Sequence, residues 1–130
     1  MSLKDLKIAD TANEGVEMQI KSPSGELMDG FIRVLGADSA EYQRRLRAWI
    51  ERTRNKPANQ SSFADDEKTA IENRVACVVG WRGKEFDDWM EYSPENARKL
   101  LTDPNYRWLF EQIGEFMSDR ANFIPSNDEN

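Results

Sequence analysis

The chain has 130 residues, 38% apolar and 32% charged, with a formal net charge of −6 and no histidine. That length fits one domain able to bury roughly two-thirds of its unfolded surface, and four Trp, six Phe and three Tyr supply core anchors that a disordered chain lacks. The missing histidine removes the Ser–His and Cys–His nucleophile systems and the usual zinc and iron ligand sets, the single cysteine removes any intrachain disulfide, and no apolar run approaches the ~20 residues that cross a bilayer.

With no disulfide framework, and no apolar core behind Met1-Ser2-Leu3-Lys4-Asp5, a soluble intracellular protein is expected. Charge is unevenly spread: net −3 over residues 1–40, +4 over 41–56 and −7 over 57–130. One short basic segment in an acidic chain favours head-to-tail association between copies.

Residues 1–15 are polar and mixed and read as a loosely held N-terminus, with a short turn around Leu6 and Ile8. A β-hairpin follows over 16–35. Val16, Met18 and Ile20 alternate with Glu17, Gln19 and Lys21, the period of a strand with one apolar face. Ser22-Pro23-Ser24-Gly25 has the grammar of a type I turn. The return run holds Phe31, Ile32 and Val34, with Gly30 marking a bulge or a close backbone approach. Two strands alone are marginal, so the hairpin must pack on helices or pair with strands of another chain.

After Gly36, Asp38 or Ser39 caps a helix reaching about Arg54. Tyr42, Leu46, Trp49 and Ile50 form its apolar stripe, and Arg44, Arg45, Arg47, Arg52 and Arg54 fall mostly outside it. Lys56–Ser62 is a polar, proline-containing loop. A second helix starts near Ser62, with Asp65, Asp66 and Glu67 complementing its dipole. The β-branched run Val75–Val79 leaves strand open beside helix, but the preceding spacing favours helix, ended by Gly80. Cys77 in this run reads as a small buried hydrophobe, because an apolar setting raises a thiol pKa.

Residues 81–92 form an aromatic connector too rich in rings to stay in water. Ser93-Pro94-Glu95-Asn96 is an N-cap with proline in the first turn, opening a short helix to about Leu101. Thr102-Asp103-Pro104 repeats that grammar before a last helix striped by Tyr106, Leu109, Phe110, Ile113, Phe116 and Met117. Residues 125–130 read as a disordered tail. The expected fold is α+β: an N-terminal hairpin and about four helices in a single domain over 16–124.

Three constellations could carry chemistry. The arginines of 44–54 could grip phosphates, but a domain with a pI of about 4.8 is a poor nucleic-acid reader. Glu85, Asp87, Asp88 and Glu91 could pair as catalytic carboxylates or hold a hard cation, yet they match no calcium loop and have no supporting motif. Arg and Trp favour binding hot spots. Trp49 and Trp108 lie on helical stripes and read as core, which leaves Trp81 and Trp89 as the better interface residues. The connector acids and the basic segment are expected to meet between copies, with the connector aromatics or the hairpin edge at Phe31 supplying apolar area. No enzyme, cofactor or metal site is expected.

Val78-Val79-Gly80-Trp81-Arg82-Gly83, then Tyr92-Ser93-Pro94-Glu95-Asn96-Ala97-Arg98-Lys99-Leu100-Leu101, then Ala121-Asn122-Phe123 closing the last helix, stand in that order behind an N-terminal hairpin. Across residues 15–124 this set resembles the tail assembly chaperones of long, non-contractile-tailed (lambdoid-type) bacteriophages. The resemblance implies a non-catalytic protein of the host cytoplasm, absent from the mature virion. Such a protein self-associates into rings or spirals, coats the tape measure protein and recruits tail tube protein. It also implies that a longer frameshifted form often accompanies the short one. The alternative from the residues is a phage or bacterial nucleic-acid-binding regulator that uses the Arg-rich helix.

Overall fold

The computed structural model describes residues 2–54 and 63–125. The fold is α+β, with five helices and one antiparallel sheet among the described residues. The helices are α1 (Ile8–Glu14), α2 (Ala40–Arg54), α3 (Phe63–Cys77), α4 (Pro94–Thr102) and α5 (Arg107–Ser118), and the strands are β1 (Val16–Lys21), β2 (Leu27–Val34) and β3 (Val78–Arg82).

β1 and β2 form the expected hairpin, with Val16 opposite Val34 and Met18 opposite Ile32. The amide of Gly25 donates to the Ser22 carbonyl at 2.8 Å, and Gly25 stands at φ +93. Glycine takes that left-handed conformation without steric cost, and Lys21 pairs with Leu27 beyond the turn before the register shifts between Lys21 and Gln19. The amide side chain of Gln112 on α5 bonds both the N–H and the carbonyl of Lys21, at 2.9 and 2.8 Å, so the helix covers part of the free edge of β1.

β2 is the central strand. β3 pairs along its other side, with Ile32 opposite Trp81 and Val34 opposite Val78. This corrects the expectation of a helix running to Gly80: α3 stops at Cys77 and the chain enters the strand at the next residue. The β-branched pair Val78-Val79 suits the pleated surface, and pairing satisfies the backbone of β2, which a hairpin alone leaves half open. Gly80 lies inside β3, opposite Arg33.

A fifth helix exceeds the four expected. α1 occupies part of the segment read as a loose N-terminus. Its Ala12 is fully buried, and the carbonyl of Ala12 accepts from the Gly36 amide at 3.1 Å. Only Ile8 and Ala12, four apart, mark its inner side, too little apolar pattern to announce a helix against a polar background. The proposed loop at Lys56–Ser62 and residues 126–130 of the proposed tail lie outside the described residues.

One face of the sheet and the helices share a single core. Met18, Ile20, Ile32, Val34 and Val78 meet Val75 of α3, Ala97, Leu100 and Leu101 of α4, and Leu109, Ile113 and Met117 of α5. Each large side chain there contributes about 1.5–3 kcal/mol by leaving water. Ser93 caps α4 as expected, its hydroxyl accepting from Asn96 N–H at 2.9 Å. Asp103 caps a single turn at Pro104–Tyr106 that leads into α5, and a last turn, Arg120–Phe123, seats Phe123 in the core. The opposite face of the sheet carries Glu17, Gln19, Phe31, Arg33 and Arg82, and meets solvent.

Candidate interaction surfaces

α2 starts on Ser39, which is fully buried and whose hydroxyl accepts from Tyr42 N–H at 3.2 Å. Asp38, the other candidate cap, instead accepts two bonds from the Arg120 guanidinium at 2.7 and 3.0 Å, which hold its carboxyl below the usual range. No side chain of α2 is fully buried. The stripe read from the sequence as a core face therefore has a different role. Of its members only Tyr42 packs on the core. Leu46 and Trp49 face α3, where with Ala48 and Ala70 they floor an open groove of about 670 Å³. Arg44, Arg45, Arg52 and Lys68 border this groove, against Asp66 and Glu72. At 100° per residue, Arg47, Ile50 and Arg54 fall on the outer side of α2, with Ile50 40% exposed.

The five arginines are not equivalent. Glu41 accepts from Arg44 at 2.8 Å and from Arg45 at 2.6 Å, and these bonds, that of Arg44 foremost, lower its pKa. Arg54 pairs with Glu51 at 3.3 Å. Among the described residues, Arg47 and Arg52 have no carboxylate within ion-pair distance. None of the ion pairs joins α2 to the acids of 85–91.

The second surface is the connector after β3. Gly83, at φ +113, brings the chain into backbone contact with Asp29 and Gly30. This is the close approach that Gly30 announced. The Glu85 N–H then donates to the Asp29 carbonyl at 3.0 Å, and Phe86 N–H to the Gly83 carbonyl at 3.0 Å. Trp81 and Trp89, paired in the sequence reading, separate here. Trp81 is partly buried and packs against the core. It stacks on Phe86 at 4.8 Å between ring centroids, meets the edge of Tyr92 at 5.1 Å, and donates from Nε1 to the Met90 carbonyl at 2.9 Å. Trp89 is half exposed and continues the stack, 6.2 Å from Phe86 and 5.8 Å from Tyr106, which lies 6.3 Å from Trp108. Six rings thus follow one another from Tyr92 to Trp108.

Beside the exposed end of this ladder lies a pocket of about 310 Å³, walled by Phe86, Trp89, Tyr106 and Trp108 over Ile20, Met28, Leu100 and Leu109, with Glu85 in its lining. Asp87 and Asp88 are exposed nearby, and Asp88 takes a left-handed backbone at φ +59. Among the described residues no group of three or more His, Cys, Asp or Glu is placed to hold a metal ion, and no helix is long and apolar enough to cross a membrane. Phe31 lies on the solvent face of the sheet beneath the Arg82 guanidinium, 4.4 Å from its ring centre, away from the pocket lining. Tyr106 and Trp108 belong to the candidate surface although their helical spacing assigned them to the core. Their only signal in the sequence is a surplus of rings on one stripe.

The family model described as YdaY prophage protein matches residues 37–130, from the start of the α2 region to the C-terminus. No curated protein and no solved structure matches the chain.

Proposed function

The chain belongs to the YdaY prophage protein family, and from that premise we propose that it is a non-catalytic assembly chaperone of phage tail morphogenesis. In this role it oligomerises in the host cytoplasm, holds amphipathic helices of the tape measure protein, recruits tail tube protein and leaves before the virion is complete. The observation that carries the reading is the α2–α3 groove. Leu46, Trp49 and Ala70 give it an apolar floor, and cations and acids stand along its borders. A groove of that kind takes the apolar face of an amphipathic helix and pairs its flanking charges. A helix left without one fully buried side chain is poorly explained by the needs of the fold. The ordered resemblance across residues 15–124 points the same way.

The test is co-expression with the tape measure protein of the same prophage. Soluble tape measure protein that co-elutes with this chain, and returns to the pellet with Leu46→Asp/Trp49→Ala, supports the reading. Insoluble tape measure protein beside a freely eluting, folded chain overturns it. Retention of the chain on heparin, with a steep salt-dependent shift of DNA or RNA, would give the function to nucleic acid through Arg47 and Arg52 instead.

A further inference from the structure

We propose that the pocket walled by Phe86, Trp89, Tyr106 and Trp108 is one half of a head-to-tail contact between copies, and that its occupant is Arg47 on the outer side of α2 of a second copy. The inference deepens the oligomerising chaperone reading and rests on it for its biological meaning, but not for its geometry.

The pocket suits a cation. Four of its walls are aromatic side chains, the class of residue against which a guanidinium packs favourably. Glu85 is the carboxylate in a lining otherwise made of aromatic and aliphatic residues. A volume of about 310 Å³ admits one long side chain. The chain already uses this kind of contact twice within itself, with Arg74 4.0 Å above the Phe110 ring and Arg82 4.4 Å above that of Phe31. Neither of those arginines is spare. Arg82 is bonded to Glu17, and Arg74 to the Phe110 carbonyl. Arg107, the nearest arginine in sequence to the pocket's Tyr106 and Trp108, is paired with Glu67 and Glu111.

The matching cation stands elsewhere on the surface. On the outer side of α2, Arg54 is engaged by Glu51, and Arg47 has no carboxylate partner among the described residues. Ile50, one turn from Arg47 and 40% exposed, gives that face an apolar contact to set beside half-exposed Trp89. A guanidinium next to an isoleucine faces a carboxylate set among rings, which is complementarity of both charge and polarity. Because pocket and key are different surfaces, the contact is heterologous, and it propagates into a ring or a helical array rather than stopping at a two-fold dimer. The groove side of α2 stays open for a helical partner.

The test uses sedimentation and light scattering of the full chain over a range of concentrations. Wild type should form a concentration-dependent series of oligomers. Arg47→Glu keeps the pocket but loses the key, and Trp89→Ala keeps the key but loses a wall. Each alone should self-associate about tenfold or more weakly, as loss of an interfacial Trp or Arg anchor commonly does. Mixing the two variants leaves one intact contact per pair, so the mixture should form dimers and nothing longer. Arg47→Glu combined with Glu85→Lys should recover longer oligomers. A folded wild type that stays monomeric, or an Arg47→Glu chain that assembles like wild type, overturns the proposal. Co-elution of the tape measure protein with either monomeric variant would keep the chaperone reading intact, so the two ideas fail separately.

Discussion

Gly83 and Asp29 touch backbone to backbone. A Cβ on residue 83 would lie 2.4 Å from the Asp29 carbonyl oxygen and 2.9 Å from Gly30 Cα, and the same carbonyl accepts the Glu85 N–H at 3.0 Å. The contact sets where the connector leaves the sheet and hence where Phe86 and Trp89 lie. Gly83→Ala would need both a φ of +113 and a clash with backbone that cannot swing away. We expect it to destabilise the fold by about 3 kcal/mol or more. Gly25→Ala shares the positive φ, but nothing lies within 4 Å of the added methyl. It should cost only about 1–2 kcal/mol. Urea unfolding followed by tryptophan fluorescence compares the two, and equal losses would mean that backbone conformation alone, not the contact with Asp29, is at stake.

Trp81 and Trp89 should answer truncation in opposite ways. Trp81→Ala removes two ring contacts and the bond to the Met90 carbonyl, a loss of about 3 kcal/mol. Trp89 is 50% exposed, so Trp89→Ala should cost about 1 kcal/mol or less and leave the circular dichroism unchanged. A Trp89→Ala loss as large as that of Trp81→Ala would make the pocket wall part of the structural core.

How much of this was legible in the sequence depended on how local each feature is. The hairpin showed in the alternation of Val16, Met18 and Ile20. The caps at Ser39 and Ser93 showed in residue type. The pairing of Glu41 with Arg44 and Arg45, three and four residues on, went unread although the helical spacing carries it. β3 was only half legible: the β-branched run to Val79 left strand open, but the partners in β2 lie more than forty residues away and Gly80 looks locally like a helix stop, so helix was favoured. The stripe of α2 was read as core because periodicity reports an apolar face without naming what covers it. The pocket joins Met28, Phe86, Trp89 and Trp108 from three separate stretches of chain, a grouping that no sequence window contains.

The Cys77 thiol is fully buried, and burial pushes its pKa up to about 11. Its Sγ faces Asn73 Oδ1 at 4.0 Å. The thiolate is the reactive form, so the native protein should resist iodoacetamide and a disulfide reagent at pH 8. Mass spectrometry should find full modification once the chain is unfolded in urea. Rapid native labelling would mean that the end of α3 opens easily.

Glu17 and Arg82 bridge β1 and β3 across the solvent face of the sheet through two hydrogen bonds, at 2.7 and 2.9 Å. The bond from Arg82, ahead of its charge and that of Arg33, lowers the Glu17 pKa below its ordinary 4.5. Unfolded Glu17 binds a proton more readily than folded Glu17. The bridge therefore stabilises the fold fully above about pH 5, and its contribution is lost as pH falls through the lowered native pKa. Arg82→Gln should be less stable than wild type at pH 7, and the difference should shrink towards pH 3. Both side chains are well exposed, so the effect is small and 1 M salt should reduce it further. Paired urea titrations at the two pH values read it, and a difference that persisted at pH 3 would assign the role of Arg82 to its packing on Phe31.

Arg74 and Gly114 depend on each other. The Arg74 guanidinium crosses α5 where residue 114 has no side chain, 2.7 Å from the position a Cβ would take, and there it donates to the Phe110 carbonyl at 3.1 Å and covers the Phe110 ring. Burial lowers its pKa, yet arginine stays charged throughout the working range, so the ring and the carbonyl have to satisfy a cation taken partly out of water. A glycine inside a helix ordinarily costs ~1 kcal/mol against alanine. With Arg74 removed, Gly114→Ala should recover about that amount. With Arg74 present, the new methyl displaces the guanidinium and forfeits about 1–2 kcal/mol of hydrogen bond and cation–π contact, so Gly114→Ala should be neutral or destabilising. A double-mutant cycle on Arg74→Ala and Gly114→Ala should therefore give a coupling of about 1–2 kcal/mol. A coupling near zero would mean that the guanidinium has an equally good place to go, and that Gly114 is there for another reason.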